Sequence, residues 1–566
     1  MKLKCKLESH HRIPPPVLSI LVGRLPQVST PLPHRSPNPL SPRQDDQDDS
    51  WNNDWDWEDD DEDEDDKSSD DTSVELPPVN EAYLASASPV GRYILLAHQT
   101  KFVMLALHEE EDEYYAVGQG SGCEVAGETI TAVLCLPLFV PSIRRNQMCA
   151  MIGYSTGWLR VFSEKGTMLT AQLLEPAAIL SIKMRTPTPV FKVSPQMMLN
   201  EDEEITLLFA NKKVVSINGQ TLWMVLRVCD GQRESGIDAS RSQVSFSYQK
   251  WEFQGQENIT DVISLGASPS DEPGPLSAAS STSTYVFQPG ATSRYVGVGS
   301  NPMFSYYETS EVNRPLTSAV SMASYVVSRV ATPVLSLAKS WWTGTAIGNQ
   351  ASSRSSKPSP YVPNMPMPPS QIEPATPIRA TLSLSDAFRT IRYVSVCPPS
   401  SSDRHHKLAA TSDALGRVIL WSLDDGEMIR MWKGIRDAVC GWVEVFEDDL
   451  YSPNEENNTG QGSRSKLLRY ERERAKILLF LVIFSPRRGL LKVIQMRHGH
   501  QIGVFHIGSG WNLVSCGREP LGSSMVSIER RRMAMKNGED ECGALSKCFL
   551  IGPKGEVCNI NIYLNH

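Results

Sequence analysis

The stretch Lys407-Leu-Ala-Ala-Thr-Ser-Asp-Ala-Leu-Gly-Arg-Val-Ile-Leu-Trp-Ser-Leu-Asp-Asp-Gly-Glu-Met-Ile-Arg-Met-Trp432 reads as three strands and two tight turns. An apolar strand leads to a turn at Ala414 to Gly416. A second strand covers Arg417 to Ser422, a second turn covers Asp424 to Gly426, and a third strand follows. The short apolar run Val418 to Trp421, bounded by turn residues, is the pattern of a strand buried on both faces. Two successive hairpins make a meander that has no stable core alone and must pack face to face on copies of itself. That is the grammar of a β-propeller blade.

The unit recurs. Cys149 to Phe162 with Glu164 to Leu169, and Ile477 to Ile494 with Arg497 to Val504, repeat the same order. Weaker copies run Tyr93 to Leu105, Ile205 to Ile217, Arg294 to Tyr307 and Cys548 to Ile560. The seven second strands begin near Phe102, Trp158, Val214, Phe304, Val418, Leu490 and Val557, at intervals of 56 to 114 residues. A compact blade needs only ~40–45, so long insertions separate the repeats. The expected fold is all-β, a WD-repeat-like propeller of seven blades over residues 81–566, in which Trp421-Ser422 stands where a WD repeat has Trp-Asp. Residues 1–80 are expected to form a disordered Pro-rich and acidic arm, and residues 310–380 a Ser/Pro-rich insertion.

Eleven cysteines are scattered without a Cys-x-x-Cys pair, a usage that suits a reducing compartment and proposes no metal site. The longest apolar run, Ile477 to Phe484, is far short of the ~20 residues of a bilayer-crossing helix. Prolines interrupt the apolar patch near Val17 as a signal segment. The expectation is a cytoplasmic protein.

Charge is concentrated. Residues 45–75 carry eighteen Asp or Glu against one Lys, so this tract holds −17 of a chain whose net charge is −10, and the remainder sums to +7. Such a tract cannot bury enough apolar surface to fold. Trp51, Trp55 and Trp57 stand inside it as candidate docking anchors, the indoles supplying apolar contact and the carboxylates steering. Asp54-Trp-Asp-Trp-Glu58 resembles the tryptophan-acidic motifs read by cargo-adaptor helical-repeat domains; folding back on the basic body is the alternative. In the second insertion, Val320, Val327, Val330, Val334, Leu337 and Trp341 fall on one face of a helix near 316–342. With Trp341-Trp342 at its end, that helix is a candidate for shallow insertion in lipid or for packing on a blade flank or partner.

Catalytic chemistry finds no support in the motifs. Gly118-Gln-Gly-Ser-Gly122 lacks the downstream Lys-Ser or Lys-Thr of a phosphate loop and reads as a blade connection. Neither a Gly-x-Ser-x-Gly elbow nor a His-Glu-x-x-His helix occurs. No basic stripe with interleaved aromatics points to nucleic acid. Arg487 and Arg488, in Phe484-Ser-Pro-Arg-Arg-Gly489, sit at a turn between strands and resemble the Phe-Arg-Arg-Gly signature of phosphoinositide-binding propellers, with Ser485 and Pro486 interrupting it. They are candidate lipid or partner contacts.

Leu415 to Leu420, Ile429 to Gly434 with Arg436 to Ala438 and Gly441-Trp442, and Pro486 to Gly489 with Val504-Phe505 resemble the N-terminal region of the non-catalytic regulatory subunit of the Rab-3 GTPase-activating complex. So do Ala171 to Leu174, Val298 to Pro302 and Glu373 to Pro377. The resemblance covers residues 80 to 566 in order. It implies a regulatory subunit that is not itself an enzyme and needs no cofactor. It also implies a heterodimer with a catalytic subunit, and Rab GTPases of regulated exocytosis engaged through the complex. A link to nucleotide exchange on a Rab of the endoplasmic reticulum follows too, with peripheral attachment to reticulum or vesicle membranes. The family's chains are expected to continue past His566 with a mostly helical region. The alternative reading of the same residues is a membrane- or phosphoinositide-binding propeller adaptor.

Overall fold

The computed structural model describes residues 2–15, 17–18, 83–108, 112–140, 146–186, 203–234, 245–266, 291–310, 372–398, 407–424, 426–447, 450, 476–516, 520–523 and 545–565. These hold twenty-eight strands and one long helix. The first strand, β1 (Lys2–Arg12), belongs to the last repeat and is placed below. Repeat one comprises β2 (Leu84–Ala87), β3 (Tyr93–His98), β4 (Lys101–His108) and β5 (Glu113–Gly120). Repeat two comprises β6 (Ile130–Leu138), β7 (Gln147–Tyr154), β8 (Trp158–Ser163) and β9 (Met168–Leu173). Repeat three has β10 (Ile179–Arg185), β11 (Glu204–Phe209), β12 (Lys213–Asn218) and β13 (Gln249–Gln254), with helix α1 (Gly219–Glu234) before the last of these.

Repeat four has β14 (Asn258–Gly266), β15 (Ala291–Ser300), β16 (Phe304–Ser310) and β17 (Thr376–Leu384). Repeat five has β18 (Ile391–Val396), β19 (Leu408–Asp413), β20 (Val418–Ser422) and β21 (Glu427–Trp432). Repeat six has β22 (Val439–Phe446), β23 (Ile477–Ser485), β24 (Leu490–Gln495) and β25 (Gln501–His506). Repeat seven has β26 (Asn512–Ser515), β27 (Cys548–Ile551) and β28 (Glu556–Asn565), and takes β1 as its fourth strand.

Within each repeat the strands pair antiparallel in chain order. In addition, β13 pairs in parallel with β17 from Trp251↔Thr376 to Gln254↔Arg379, joining repeats three and four, and a single parallel bridge, Arg12↔Glu113, joins β1 to β5 of repeat one. The seventh is completed by pairing β1 with β28 from Lys2↔Asn565 to Arg12↔Glu556, with a register shift between Ser9 and His11. Residues 2–12 were expected in the disordered arm; they are instead a structural strand, and Ile13, Val17 and Leu18 beyond it are buried. The reason is a period-two pattern beneath the basic residues: Leu3, Cys5 and Leu7 face the core while Lys4 and Lys6 are exposed. The insertion expected to end at 380 gives way to β17 at Thr376. The 316–342 helix and most of the acidic arm lie outside the described residues.

The repeats form a closed ring. The first strand of each packs on the next repeat, and the seventh returns to the first through β26 and β2. Seven hydrophobic clusters occupy the seven seams, because alternate residues of one strand face opposite neighbours. In β20, Val418 and Leu420 face repeat six, beside Trp442 and Leu481; Ile419 and Trp421 face repeat four, beside Val296 and Phe304. In β4, Phe102 and Met104 meet repeat two, while Val103 and Leu105 meet repeat seven. A strand buried on both faces is therefore the rule, as Val418 to Trp421 indicates from sequence.

All seven sequence repeats have their stated second strand on the third strand of a structural unit: β4, β8, β12, β16, β20, β24 and β28. Gly118-Gln-Gly120 is a correction: these residues end β5 rather than forming a loose connection. A Cβ at Gly118 would lie 2.1 Å from the Glu164 carbonyl oxygen, so the glycine permits a backbone-to-backbone approach between repeats one and two.

The two ends of the ring differ. Connections from second to third strand, and from fourth strand to the next repeat, emerge on one face and contain nine residues at most, apart from residues 13–83 between β1 and β2. Connections from first to second and third to fourth strand emerge on the opposite face. They carry α1 and the long intervals between β16 and β17, β22 and β23, and β26 and β27.

Candidate protein-interaction face

On the short-loop face, repeats five and six share a continuous set of four connections: 385–390, 414–417, 433–438 and 486–489. Arg417 donates from its backbone N–H to Asp413 Oδ1 at 2.7 Å and from Nε to Asp413 Oδ2 at 2.6 Å. Arg417 Nη2 also reaches Asp386 Oδ2 at 3.2 Å, and Arg389 Nη1 donates to Asp413 Oδ2 at 3.2 Å. Asp413 is buried, so these charge-assisted bonds fix the 385–390 loop on the 414–417 turn. The next link is made by the Ile435 N–H, which donates to the Gly416 carbonyl at 2.9 Å. Ser485 Oγ donates to the Arg436 carbonyl at 3.1 Å, bringing in the 486–489 turn. Asp437, with φ of 54°, turns its carboxylate toward Arg392 and toward Arg487 Nε, the latter at 3.2 Å.

That framework holds two large apolar side chains out of the protein. Phe388 is 88% exposed and Leu415 53% exposed, on loops joined by the Arg389–Asp413 and Arg417–Asp386 bonds. Around them the four connections carry six Lys or Arg and two Asp, a net of +4. The corresponding connections between β3 and β14 carry one Lys and four Glu, of which Glu128 and Glu175 are buried on Arg160, Lys213 and Lys250; the exposed Lys212, Glu124 and Glu257 leave a net of −1. The basic excess therefore lies on the side of repeats five and six, where Phe388 and Leu415 stand out, while the opposite sector exposes Val125. An aromatic anchor beside arginines is the composition of a protein-binding hot spot.

Elsewhere on this face, carboxylates are buried and tie the seams. Arg160 of β8 is wholly enclosed, its Nη1 3.0 Å from Glu128 Oε2 and its guanidinium 4.2 Å over the Tyr154 ring. Burial pushes the Glu128 carboxyl up, but hydrogen bonds from Thr156, Arg160 and the Glu124 N–H, with the Arg160 charge, outweigh it and hold the group below its ordinary 4.5. Glu175 is held low in the same way: burial raises it, and Lys213, Lys250 and Asn211 overcome that. Glu175 accepts from Lys213 at 2.6 Å and from Lys250 at 2.7 Å.

Of the residues singled out from sequence, Arg487 and Arg488 lie at the β23–β24 turn, exposed, within the basic patch. Trp51, Trp55, Trp57, Trp341 and Trp342 lie outside the described residues. Phe388, Leu415 and Arg436 were missed. Phe388 is the lone aromatic of the polar run Ser383 to Thr390, a signal that could have marked it. Leu415 occupies a tight turn where a small or polar residue is usual. Among the described residues no group of His, Cys, Asp or Glu could hold a metal ion.

Seven four-stranded repeats closed through a strand from the chain's start, with one face of short loops, define a WD-repeat-like β-propeller. The chain belongs to the family described as the Rab3 GTPase-activating protein regulatory subunit N-terminus, which matches residues 81–514. A curated relative, the Rab3 GTPase-activating protein regulatory subunit of Caenorhabditis elegans, is 27% identical over 117 residues; the match spans 19% of this chain and 7% of that protein. Among solved structures, Sqt1 of Saccharomyces cerevisiae aligns over 85% of this chain and 84% of its own, with 11% identity and a TM-score of 0.33. The C-terminal WD40 domain of Sif2 aligns over 85% and 95%, with 8% identity and a TM-score of 0.34.

Proposed function

We propose that this chain is a non-catalytic scaffold in a Rab GTPase-activating complex of the Rab-3 subfamily. It would pair with a catalytic subunit and meet Rab GTPases through that complex, in the cytoplasm and at reticulum or vesicle surfaces. Its contribution would be to GTP hydrolysis and nucleotide exchange in vesicle traffic. The observation that carries this reading is the family match over residues 81–514, a span that includes the whole basic patch of repeats five and six. A scaffold acts by presenting groups at fixed positions, and the bonded loops around Asp413 and Asp437 do that for Phe388 and Leu415.

The membrane reading of Arg487 and Arg488 is the weaker one. The Asp437 carboxylate already contacts Arg487, which places a negative charge where a phosphate would approach, and a protein contact suits that arrangement better. The deciding experiment is co-purification of this chain with the catalytic subunit, followed by assays of Rab GTP hydrolysis and nucleotide exchange. The expected result is a stable pair in which this chain alone leaves hydrolysis unchanged and raises it when combined with its partner. Hydrolysis stimulated by this chain alone, or vesicle binding without co-purification, would sink the proposal.

A further inference from the structure

The short-loop face contains one long connection, and its two ends are fixed there. After β1, the Ile13 N–H donates to the Gly555 carbonyl at 2.8 Å, and Leu18 is buried beside the same turn. Where the chain returns, Tyr83 Oη donates to the Ile551 carbonyl at 3.3 Å. Residues 19–82 thus leave and re-enter at the turn between β27 and β28, in the repeat next to repeat six. They include residues 45–66, which carry fifteen Asp or Glu and no Lys or Arg, together with Trp51, Trp55 and Trp57. From Leu18 to Trp51 is thirty-three residues, and a link of that length averages roughly 30 Å end to end when it behaves as a free chain. A four-stranded sheet is only about 20 Å broad.

We propose that the tryptophan-bearing acidic segment docks in cis on the basic patch of repeats five and six. Its indoles cover Phe388 and Leu415, and its carboxylates face Arg436 and Arg488, the exposed arginines beside the Arg487–Asp437 pair. Three observations select this occupant. The patch is net +4 while the exposed charges of the connections between β3 and β14 sum to −1, so an acidic ligand is directed to one side. The exposed apolar pair lies within that basic zone. The tether begins one repeat away, which gives the segment a local concentration that a free ligand lacks. The contact makes the patch a regulated surface: an outside partner must displace the segment to reach Phe388.

The test uses the full chain, a second full chain in which residues 45–66 are replaced by a Gly/Ser linker of equal length, and a labelled peptide of residues 45–66. Fluorescence anisotropy is expected to show the peptide binding the linker variant at least tenfold more tightly than the unaltered chain, because its own segment occupies the site. Arg436→Glu with Arg488→Glu in the linker variant should weaken the peptide at least tenfold, as should Phe388→Ala with Leu415→Ser. Lys101→Glu with Lys212→Glu, exposed on the same face in repeats one and three, should leave it within twofold. Raising salt from 0.05 to 0.5 M should weaken it further, since the Debye length falls below about 5 Å. Circular dichroism and thermal melts confirm that each variant is folded. Equal peptide binding by the unaltered and linker chains would show the face is not occupied in cis and overturn the proposal. Equal losses from the repeat five–six and repeat one–three variants would reduce the attraction to diffuse charge and overturn it too.

Discussion

Arg160 has no exposed surface, yet it carries a full charge at the seam between repeats one and two. Its stability rests on Glu128 and on the rings of Tyr154 and Trp158. Removing one partner of a buried pair strands the other, so Arg160→Met should cost about 3–5 kcal/mol in a urea titration. The matching double variant Arg160→Met/Glu128→Leu should recover much of that. A loss near zero for the single variant would mean the pair contributes little. The same carboxylate predicts a pH dependence. Its folded pKa lies below its unfolded value, so its stabilisation is complete above about pH 4.5 and is lost as pH falls through the folded value. Glu128→Gln with Glu175→Gln should therefore cost stability at pH 7 and progressively less toward pH 3, measured as the difference in urea midpoint from the unaltered chain. A penalty that is flat with pH would contradict the assignment. Gly157 makes a third residue-scale case, since its φ is 87° and a Cβ there would lie 1.5 Å from the Glu175 carbonyl oxygen. Gly157→Ala should lower the melting temperature by several degrees, through strain at the turn that presents Glu175.

At the scale of elements, β1 decides whether repeat seven has an outer strand. It pairs with β28 over ten positions and adds Cys5 to the cluster around Phe480 and Ile560. Deleting residues 2–12 should lower the thermal midpoint and raise binding of an apolar dye, because Ile560 and Ile562 lose their cover. An unchanged melt would mean that the strand is dispensable. This is also where sequence legibility ran out. The third strands were legible because they are apolar runs flanked by turn residues, as Leu490 to Gln495 follows Pro486-Arg-Arg-Gly489. β1 was not, because alternation with three lysines reads as a solvated basic tail until a partner strand is known. Helix α1 was not named either, although Asn218 caps it, accepting from the Thr221 N–H at 3.1 Å, and Leu222, Leu226 and Cys229 line its buried face. Its signal was short and followed a strand ending in Ile217, so a strand pattern absorbed it. The candidate site was half legible. Arg487 and Arg488 stood out as charges, whereas Phe388 and Leu415 became a site only when four connections from two repeats met.

Across the whole molecule, the seven seams make a ring in which each cluster depends on two repeats. Cys440 of repeat six and Cys548 of repeat seven lie at adjacent seams, and burial pushes both thiols up to about 12. They should resist iodoacetamide at pH 8 and become reactive in step with the loss of tertiary signal, as followed by mass spectrometry of the labelled peptides. Labelling at low urea, before that transition, would show that the ring opens locally at this junction. The basic excess of the short-loop face is likewise a property of more than one repeat, since repeats five and six both contribute to it.

The pairing of β1 with β28 has a consequence for how such a chain is made. Glu8 and its hydrogen-bond partner Asn561 are 553 residues apart. At a synthesis rate of roughly 5–20 residues per second, β1 leaves the ribosome about half a minute to two minutes before its partner strand exists. Through most of that interval an edge with Leu3, Cys5 and Leu7 on one side lacks both its antiparallel partner and the repeat-six side chains it packs on, with only the Arg12–Glu113 bridge available early. That is the condition under which nascent chains engage chaperones. The same delay makes the ring report on its own completion: only a chain translated through β28 can retire its first strand.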